Sequence, residues 1–481
     1  MGKSLNALDL AFFGLETQRT PVNVAALQIF EIPSGYRGNF VRDLLNSLAE
    51  STPGPPFNQK LGRLAGVPLP QWVTDEHFDL DYHVRHSALP EPGEMSDLLR
   101  LVSRLHALVM DRERPLWEFH VIEGLRNNRF AIYMKMHHAA IDGMGGVALL
   151  EACMSKTPDG KVCAPWHGMP EKKTPDDSKT RGPAETLSRS TRGLLHQIKI
   201  MPDVGKLFAS HGLKALGLKT AEAPVLFTAP KTLFNGPVSG ARRFAVKSIS
   251  LSAIKQLAKD AGATVNDIIL AICSGALRRY LLDKDELPEK PLIANIPVSI
   301  QQINRSGNQI TYVIANLATD QRMPMRRLAT IHDSTMHAKA EVTEVSPSAA
   351  TTFAVMAQGL VAVMNRFRIA SLLPPPANVV ISNVPGPRTP LYYAGARMLA
   401  NYPLSVLVDG QALNITVVSY CDSVDFGLMA CRDTVPDLEC IAAYLGDAFE
   451  ELTKAVGRRV RTARFAADRS SDGEAPIAKG V

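Results

Sequence analysis

The sequence predicts an α/β fold divided into two domains. Three observations carry this. Stretches with the 3.6-residue period of a buried-faced helix alternate with runs that change polarity at every residue, the mark of a half-buried strand. The chain has 481 residues, more than one ordinary core accommodates. A stretch poor in large apolar residues and rich in Lys, Pro, Asp, Ser and Thr, Ser155 to Arg189, separates two regions of the same mixed pattern. The division that follows is an N-terminal domain over 1–154, a linker over 155–225, a C-terminal domain over 226–465 and a disordered polar tail over 466–481.

Taken in order, "VAALQIFEI" (Val24 to Ile32) alternates as a strand, and "DLLRLVSRLHALVMD" (Asp97 to Asp111) repeats its apolar residues at helical spacing. "RFAIYMKMH" (Arg129 to His137) is a second strand. Gly193 to Leu218 is amphipathic and closes the linker. "RRFAVKSISL" (Arg242 to Leu251) opens the second domain as a strand. "GATVNDIILAICSGALRRYLL" predicts a helix starting near Asn266, with Ile268, Ile269, Ile272, Leu277 and Leu281 on its buried side. "FAVMAQGLVAVM" (Phe353 to Met364) is a short apolar helix of a core or channel. "NVVISNVPGP" (Asn378 to Pro387) reads as a buried strand ended by a Pro-Gly turn, and Ala412 to Asp433 as a hairpin about Cys421 to Ser423.

Composition excludes several classes. The 53 basic residues are interleaved with 47 acidic ones, so no nucleic-acid stripe stands out ahead of Arg458-Arg459-Val460-Arg461, and no nucleic-acid partner is expected. Six scattered cysteines form no C-x-x-C pair and follow no apolar leader, which predicts reduced thiols in a cytoplasmic protein. No apolar run reaches the roughly 18 residues of a bilayer span, so the protein is expected to be soluble or peripheral.

The stretch that carries chemistry is "YMKMHHAAIDGMGG", Tyr133 to Gly146. Adjacent side chains on a strand face opposite ways, so His137 and His138 do not converge on one ion, and no second cluster nearby completes a tetrahedral shell; no metal is predicted. By parity His138 shares the apolar face of Met134 and Met136, while His137 shares a face with Tyr133 and Lys135. If the apolar face lines a channel, His138 is the histidine inside it. Gly143, Gly145 and Gly146 leave room for close approach, and Asp142 is placed to cap the following helix or to fix the loop through a salt bridge. No G-x-S-x-G elbow is present, which argues against a serine hydrolase.

His137-His138-Ala139-Ala140-Ile141-Asp142-Gly143 matches the HHxxxDG motif of the chloramphenicol acetyltransferase-like acyltransferases. "LNALDLAFFGLETQRTPVNVAALQIFE", "HFDLDYHVRHSALPEPG", "DRERPLWEFHVIEGL", "TVNDIILA" and "NVVISNVPGP" further resemble the bacterial wax ester synthase/acyl-CoA:diacylglycerol acyltransferase family, from Leu5 to about Val456. The resemblance implies two chloramphenicol-acetyltransferase-like domains, each a mixed β-sheet flanked by helices, with an active-site tunnel between them. It implies His138 as general base, taking a hydroxyl proton as the C–O bond forms, with no acyl-enzyme. Asn266 is the candidate oxyanion donor, weighed against a role as helix cap. Ser382, Asn383 and Gly386 belong to a second motif with substrate contact or turn support as alternatives. Trp117, in Pro115-Leu116-Trp117, is expected to shape the pocket, and Glu16 to have a structural or access role.

The activity so implied is transfer of a long-chain acyl group from acyl-CoA, a co-substrate, to a fatty alcohol or diacylglycerol, with no bound cofactor. Such substrates partition into lipid, so peripheral docking on a membrane or lipid-droplet surface is expected, through Arg458, Arg459, Arg461 and Arg464 or through Gly193 to Leu218. A condensation-type enzyme with another alcohol or an amine acceptor, and a non-catalytic lipid-droplet binding protein, are the competing readings. Chain lengths, the wax ester versus triacylglycerol preference and the oligomeric state are open at this level.

Overall fold

In the computed structural model, two of the expected strands pair along their whole length. Asn23–Glu31 lies antiparallel to Arg129–His137, with Asn23 opposite His137 and Glu31 opposite Arg129. The structure describes residues 3–5, 7–62, 70–141, 143–160, 163–167, 227–299, 310–343 and 374–471, with isolated positions between 352 and 364. Asp142, nearly all of Ser155 to Arg189 beyond residue 167, Gly193 to Leu218, most of Phe353 to Met364 and the side chains of Arg461 and Arg464 fall outside those residues.

Two six-stranded sheets organise the chain. The first runs in the order Tyr392–Tyr393, Ala396–Leu404, Asn23–Glu31, Arg129–His137, Trp117–Leu125, Val84–Ala88. The second runs Ile310–Asn316, Ile293–Ser299, Val379–Val384, Leu413–Tyr420, Ser423–Cys431, Arg242–Ser250. Both mix parallel and antiparallel neighbours, as two mixed-sheet domains require. The hairpin turns at Cys421, whose φ of 50° is left-handed.

The first sheet departs from a sequential division of the chain. Its strand Ala396–Leu404 comes from the C-terminal half and pairs with Asn23–Glu31, Leu404 facing Ala25 and Arg397 facing Glu31. The boundary at 154 and 226 therefore separates stretches of sequence but not sheets. The borrowed strand hydrogen-bonds the otherwise open edge of Asn23–Glu31. It is held to the second sheet as well: the Asn401 N–H donates to Asp425 Oδ2 at 2.9 Å, and Pro403 O lies so near Gly427 that a Cβ there would stand 1.8 Å from it. Only glycine permits that approach.

The helix Val265–Asp283 starts one residue before Asn266, and its cap is Thr264, whose hydroxyl accepts from Asp267 N–H while the Asp267 carboxylate accepts from Thr264 N–H. Ile268, Ile269, Ile272, Leu277 and Leu281 are buried as their spacing predicts. The helix Met95–His106 ends five residues short of Asp111, and beyond it the carbonyl of Leu108 accepts from Asn23 Nδ2 (2.9 Å) and Lys135 Nζ (3.5 Å). The last helix runs from Leu438 to Ser471, six residues into the stretch that composition reads as disordered. Among the described residues no single helix is long and apolar enough to cross a membrane, and the apolar pair Leu251–Ala261 and Val265–Asp283, bent by 100°, belongs to the C-terminal core.

Candidate active site

The motif strand ends at His137, and the two histidines separate to opposite sides as strand parity demands. Met134, Met136 and His138 line a cavity of about 560 Å³, within the range of small-molecule sites. Tyr133, Lys135 and His137 point away into a fully buried layer.

That buried layer is polar and nearly all paired. Lys135 Nζ lies 2.8 Å from Glu118, which also receives His120 Nε2 at 3.2 Å and Arg85 at 3.4 Å. Burial alone would raise the Glu118 carboxyl, but His120 and Lys135 outweigh it and hold it down to about 2. Burial, helped by Lys135, presses the His106 imidazole down to about 3, so it accepts from or donates to Tyr133 Oη (2.9 Å) as a neutral ring. The network fixes the back of the strand whose front carries His138.

The short helix Ala7–Leu15 delivers one phenylalanine to each histidine. Phe12 stacks on His138 with ring centroids 4.3 Å apart, and Phe13 on His137 at 4.4 Å. The far side of Phe13 meets the Arg112 guanidinium at 5.3 Å. Arg112 in turn donates to Glu16 Oε2 from Nη2 (2.7 Å) and Nε (3.1 Å). Glu16 Oε1 accepts from Val22 N–H at 3.3 Å, and Val22 O accepts from His138 N–H at 2.9 Å. The Ala139 N–H donates to His137 Nδ1 (3.1 Å), so Nε2 carries the ring proton; it faces Glu16 Oε1 at 3.5 Å, an electrostatic contact longer than a tight hydrogen bond. Burial works to raise the Glu16 carboxyl, and His137 and Arg112 together hold it below its usual value.

The opposite wall comes from the C-terminal half. Asn266, Ser382, Asn383, Val384, Thr335 and Lys339 all line the cavity. Asn383 Nδ2 donates to Asn266 Oδ1 at 3.5 Å, a long bond across two elements. With Thr264 as the cap, Asn266 is released from that duty. Its neighbour Asp267 is locked by His332 (2.8 Å) and Thr335 (2.9 Å). Gly143 brings the two halves together: a Cβ there would stand 3.1 Å from Val384 Cγ2.

Of the expected site residues, the structure gathers His138, Gly143, Asn266, Ser382 and Asn383 on one cavity. His137 supports the loop from behind. Trp117 and Gly386 do not themselves line this cavity; Trp117 packs behind its wall. Trp117 is 2% exposed, donates from its indole N–H to Phe57 O (2.8 Å) and lies between His83 (4.4 Å) and Trp166 (5.3 Å), a stack that backs the wall. Gly386 is pressed against the Ser419 backbone, where a Cβ would stand 2.2 Å from the carbonyl oxygen, and its N–H donates to Ser419 Oγ (3.0 Å). Sequence reasoning missed Phe12, Phe13 and Arg112. Their only signal was position inside the two N-terminal motif stretches. Among the described residues no group of three or more His, Cys, Asp or Glu side chains could hold a metal ion.

Comparison with known proteins meets this geometry. The family described as wax ester synthase/diacylglycerol acyltransferase catalytic domain matches residues 5–269, and the WS/DGAT C-terminal domain matches 306–453. A Mycobacterium tuberculosis protein named "Probable diacyglycerol O-acyltransferase tgs2" is 40% identical over 465 residues, covering 93% of this chain and 98% of that one. The solved wax ester synthase/diacylglycerol acyltransferase of Marinobacter aquaeolei VT8 is 35% identical, with a TM-score of 0.73 over 95% of this chain and all of that one. The starter condensation domain of rhizomide synthetase, solved with C8-CoA and Leu-SNAC, shares the fold at 13% identity, with a TM-score of 0.54 over 95% of this chain and 94% of that one. With His138 of the HHxxxDG motif at a cavity between two mixed-sheet halves, the chain belongs to the wax ester synthase/diacylglycerol acyltransferase family of O-acyltransferases, within the chloramphenicol acetyltransferase-like fold.

Proposed function

We propose that this enzyme moves a long-chain acyl group from coenzyme A to the hydroxyl of a fatty alcohol or a diacylglycerol, with His138 as the general base. The observation that carries the reading is that His138, and not His137, stands on the wall of a largely apolar cavity that Asn266 and Asn383 also line. An alcohol does not attack a thioester unaided, because its proton must leave as the C–O bond forms. A neutral imidazole takes that proton, and the tetrahedral intermediate then collapses, breaking the C–S bond and releasing CoA, whose thiolate takes the proton back.

Asn266 is the oxyanion donor in this reading. Its oxygen is occupied by Asn383, which leaves its own N–H groups for a developing negative charge. Acyl-CoA is a co-substrate, and no bound cofactor enters the steps. Lys339, exposed on the cavity lining, offers a cation to the phosphates of coenzyme A. Docking is peripheral, on a membrane or lipid droplet of the cytoplasm, with exposed Arg458 and Arg459 toward anionic headgroups.

The test is thiol release from hexadecanoyl-CoA with hexadecanol, with a diacylglycerol and with a long-chain amine. Turnover with either hydroxyl acceptor supports the reading. Turnover with the amine alone would identify a condensation-type enzyme, and none with any acceptor would leave a lipid-binding protein.

A further inference from the structure

One arm of the cavity is built from the inward-facing positions of three paired strands. From His138 the lining runs through Met136, Met134 and Ile132 of the motif strand. Beside these stand Val24, Ala26 and Gln28, and beyond them Pro403 and Asn401 of the borrowed strand. Six residues of strand separate His138 from Ile132, a span of about 20 Å at ~3.3 Å per residue.

The character of the wall changes at the third level. Above it these three strands line the cavity with methionine, alanine, valine, leucine and proline, and Ser405 follows just past the borrowed strand. At it, Gln28 and Asn401 are register partners, 7% and 4% exposed, and Asn401 Oδ1 is buried without a hydrogen-bond partner. The next inward pair, Phe30 and Phe130, is also in register and fully buried, with rings 5.1 Å apart, and neither lines the cavity. On these three strands the lining goes no further, and Tyr393, whose ring lies 6.3 Å from Phe30, closes the cavity beside them.

We propose that Gln28 and Asn401, backed by Phe30 and Phe130, are the end stop of an alkyl arm and set the length of hydrocarbon that this enzyme accepts. The inference rests on the acyl-transfer reading above. An extended alkyl chain advances about 1.3 Å per methylene, given C–C bonds near 1.5 Å, so an arm of ~20 Å takes about 14 to 16 carbons. A longer chain must press its apolar end against two carboxamides and deny them hydrogen-bonding partners. The chain in the arm belongs either to the acyl group or to the acceptor, which share this chemistry.

Two series of thiol-release assays on the full-length enzyme separate those sources. In one, acyl-CoA length varies from octanoyl to icosanoyl against octanol. In the other, alcohol length varies over the same range against octanoyl-CoA. Ala26→Phe fills the arm at its second level, and Gln28→Ala deepens it at the third. In the series whose chain occupies the arm, Ala26→Phe lowers the ratio of hexadecyl to octyl turnover by about tenfold or more, since each methylene denied burial weakens binding. In the same series Gln28→Ala lengthens the preferred chain by about two carbons. Gln28→Ala removes atoms only, so it carries the test alone if the larger phenylalanine disrupts the sheet. Unchanged length profiles in both series, from variants that melt with the wild type and still release CoA, overturn the end stop. A wild-type enzyme that releases CoA from no pair overturns the acyl-transfer reading instead.

Discussion

His137 and His138 are chemically identical neighbours that the backbone sends to different tasks, one against Glu16 and Phe13, the other against Phe12 and the cavity. His138→Ala is expected to cost roughly 10²–10⁴-fold in turnover at an unchanged melting temperature, as loss of a general base does. His137→Ala should be milder in turnover and should lower the melting temperature, because it empties a stacked, buried site. Equal small losses from both would count against the assignment. The buried Glu118 carboxyl gives a second expectation. Its pKa is about 2 in the fold against 4.5 as a free side chain, so its stabilisation is fully present above pH 4.5 and is lost as pH falls toward 2. The shift corresponds to about 3 kcal/mol. Glu118→Gln, compared with wild type in urea melts at pH 6 and pH 3, should show the larger deficit at pH 6; an equal deficit at both would remove the carboxylate's role. The face of each histidine was legible from strand parity alone. Glu16's partners were not, because 96 residues separate it from Arg112, and no local spacing encodes a pairing at that distance.

Elements, more than single side chains, decide how closely the two sheets approach. Gly427 sits where Ser423–Cys431 passes over the borrowed strand, with Pro403 O in the space of its missing Cβ. Gly427→Ala must push backbone against backbone and is expected to cost about 3 kcal/mol or more, read as a fall in melting temperature. A drop below ~0.5 kcal/mol would mean that the crossing is loose. Most strands were readable: the alternating runs Arg129 to His137 and Arg242 to Leu251 fold as the strands Arg129–His137 and Arg242–Ser250, although the first is buried on both faces. Helix ends were read less well. Asn266 looked like a start signal, yet Thr264 caps, since the three-residue spacing to Asp267 closes a capping box that Asn266 has no partner to form. Trp117 and Gly386 are tightly packed, Trp117 in the stack behind the wall and Gly386 against the Ser419 backbone.

At the scale of the whole molecule, sequence composition revealed two α/β regions but not their exchange of a strand, because Ala396–Leu404 alternates like any other strand and carries no label for the sheet it joins. Charge also acts at this scale. If exposed Arg458 and Arg459 draw the enzyme to anionic lipid, sedimentation with phosphatidylserine vesicles should weaken as salt rises from about 0.05 to 0.5 M, where screening shortens to a few ångströms. Binding that ignores salt would point to apolar contacts, and no binding at either salt would sink peripheral docking. The borrowed strand has a consequence in time. During synthesis the edge of Asn23–Glu31 must wait for its partner, and 396 − 31 = 365 residues separate the end of one from the start of the other. At about 5–20 residues per second the ribosome takes roughly 20–70 s to supply it. Throughout that interval Asn23–Glu31 lacks a neighbour on one edge, so the sheet that holds the motif histidines is completed only after most of the C-terminal half has emerged.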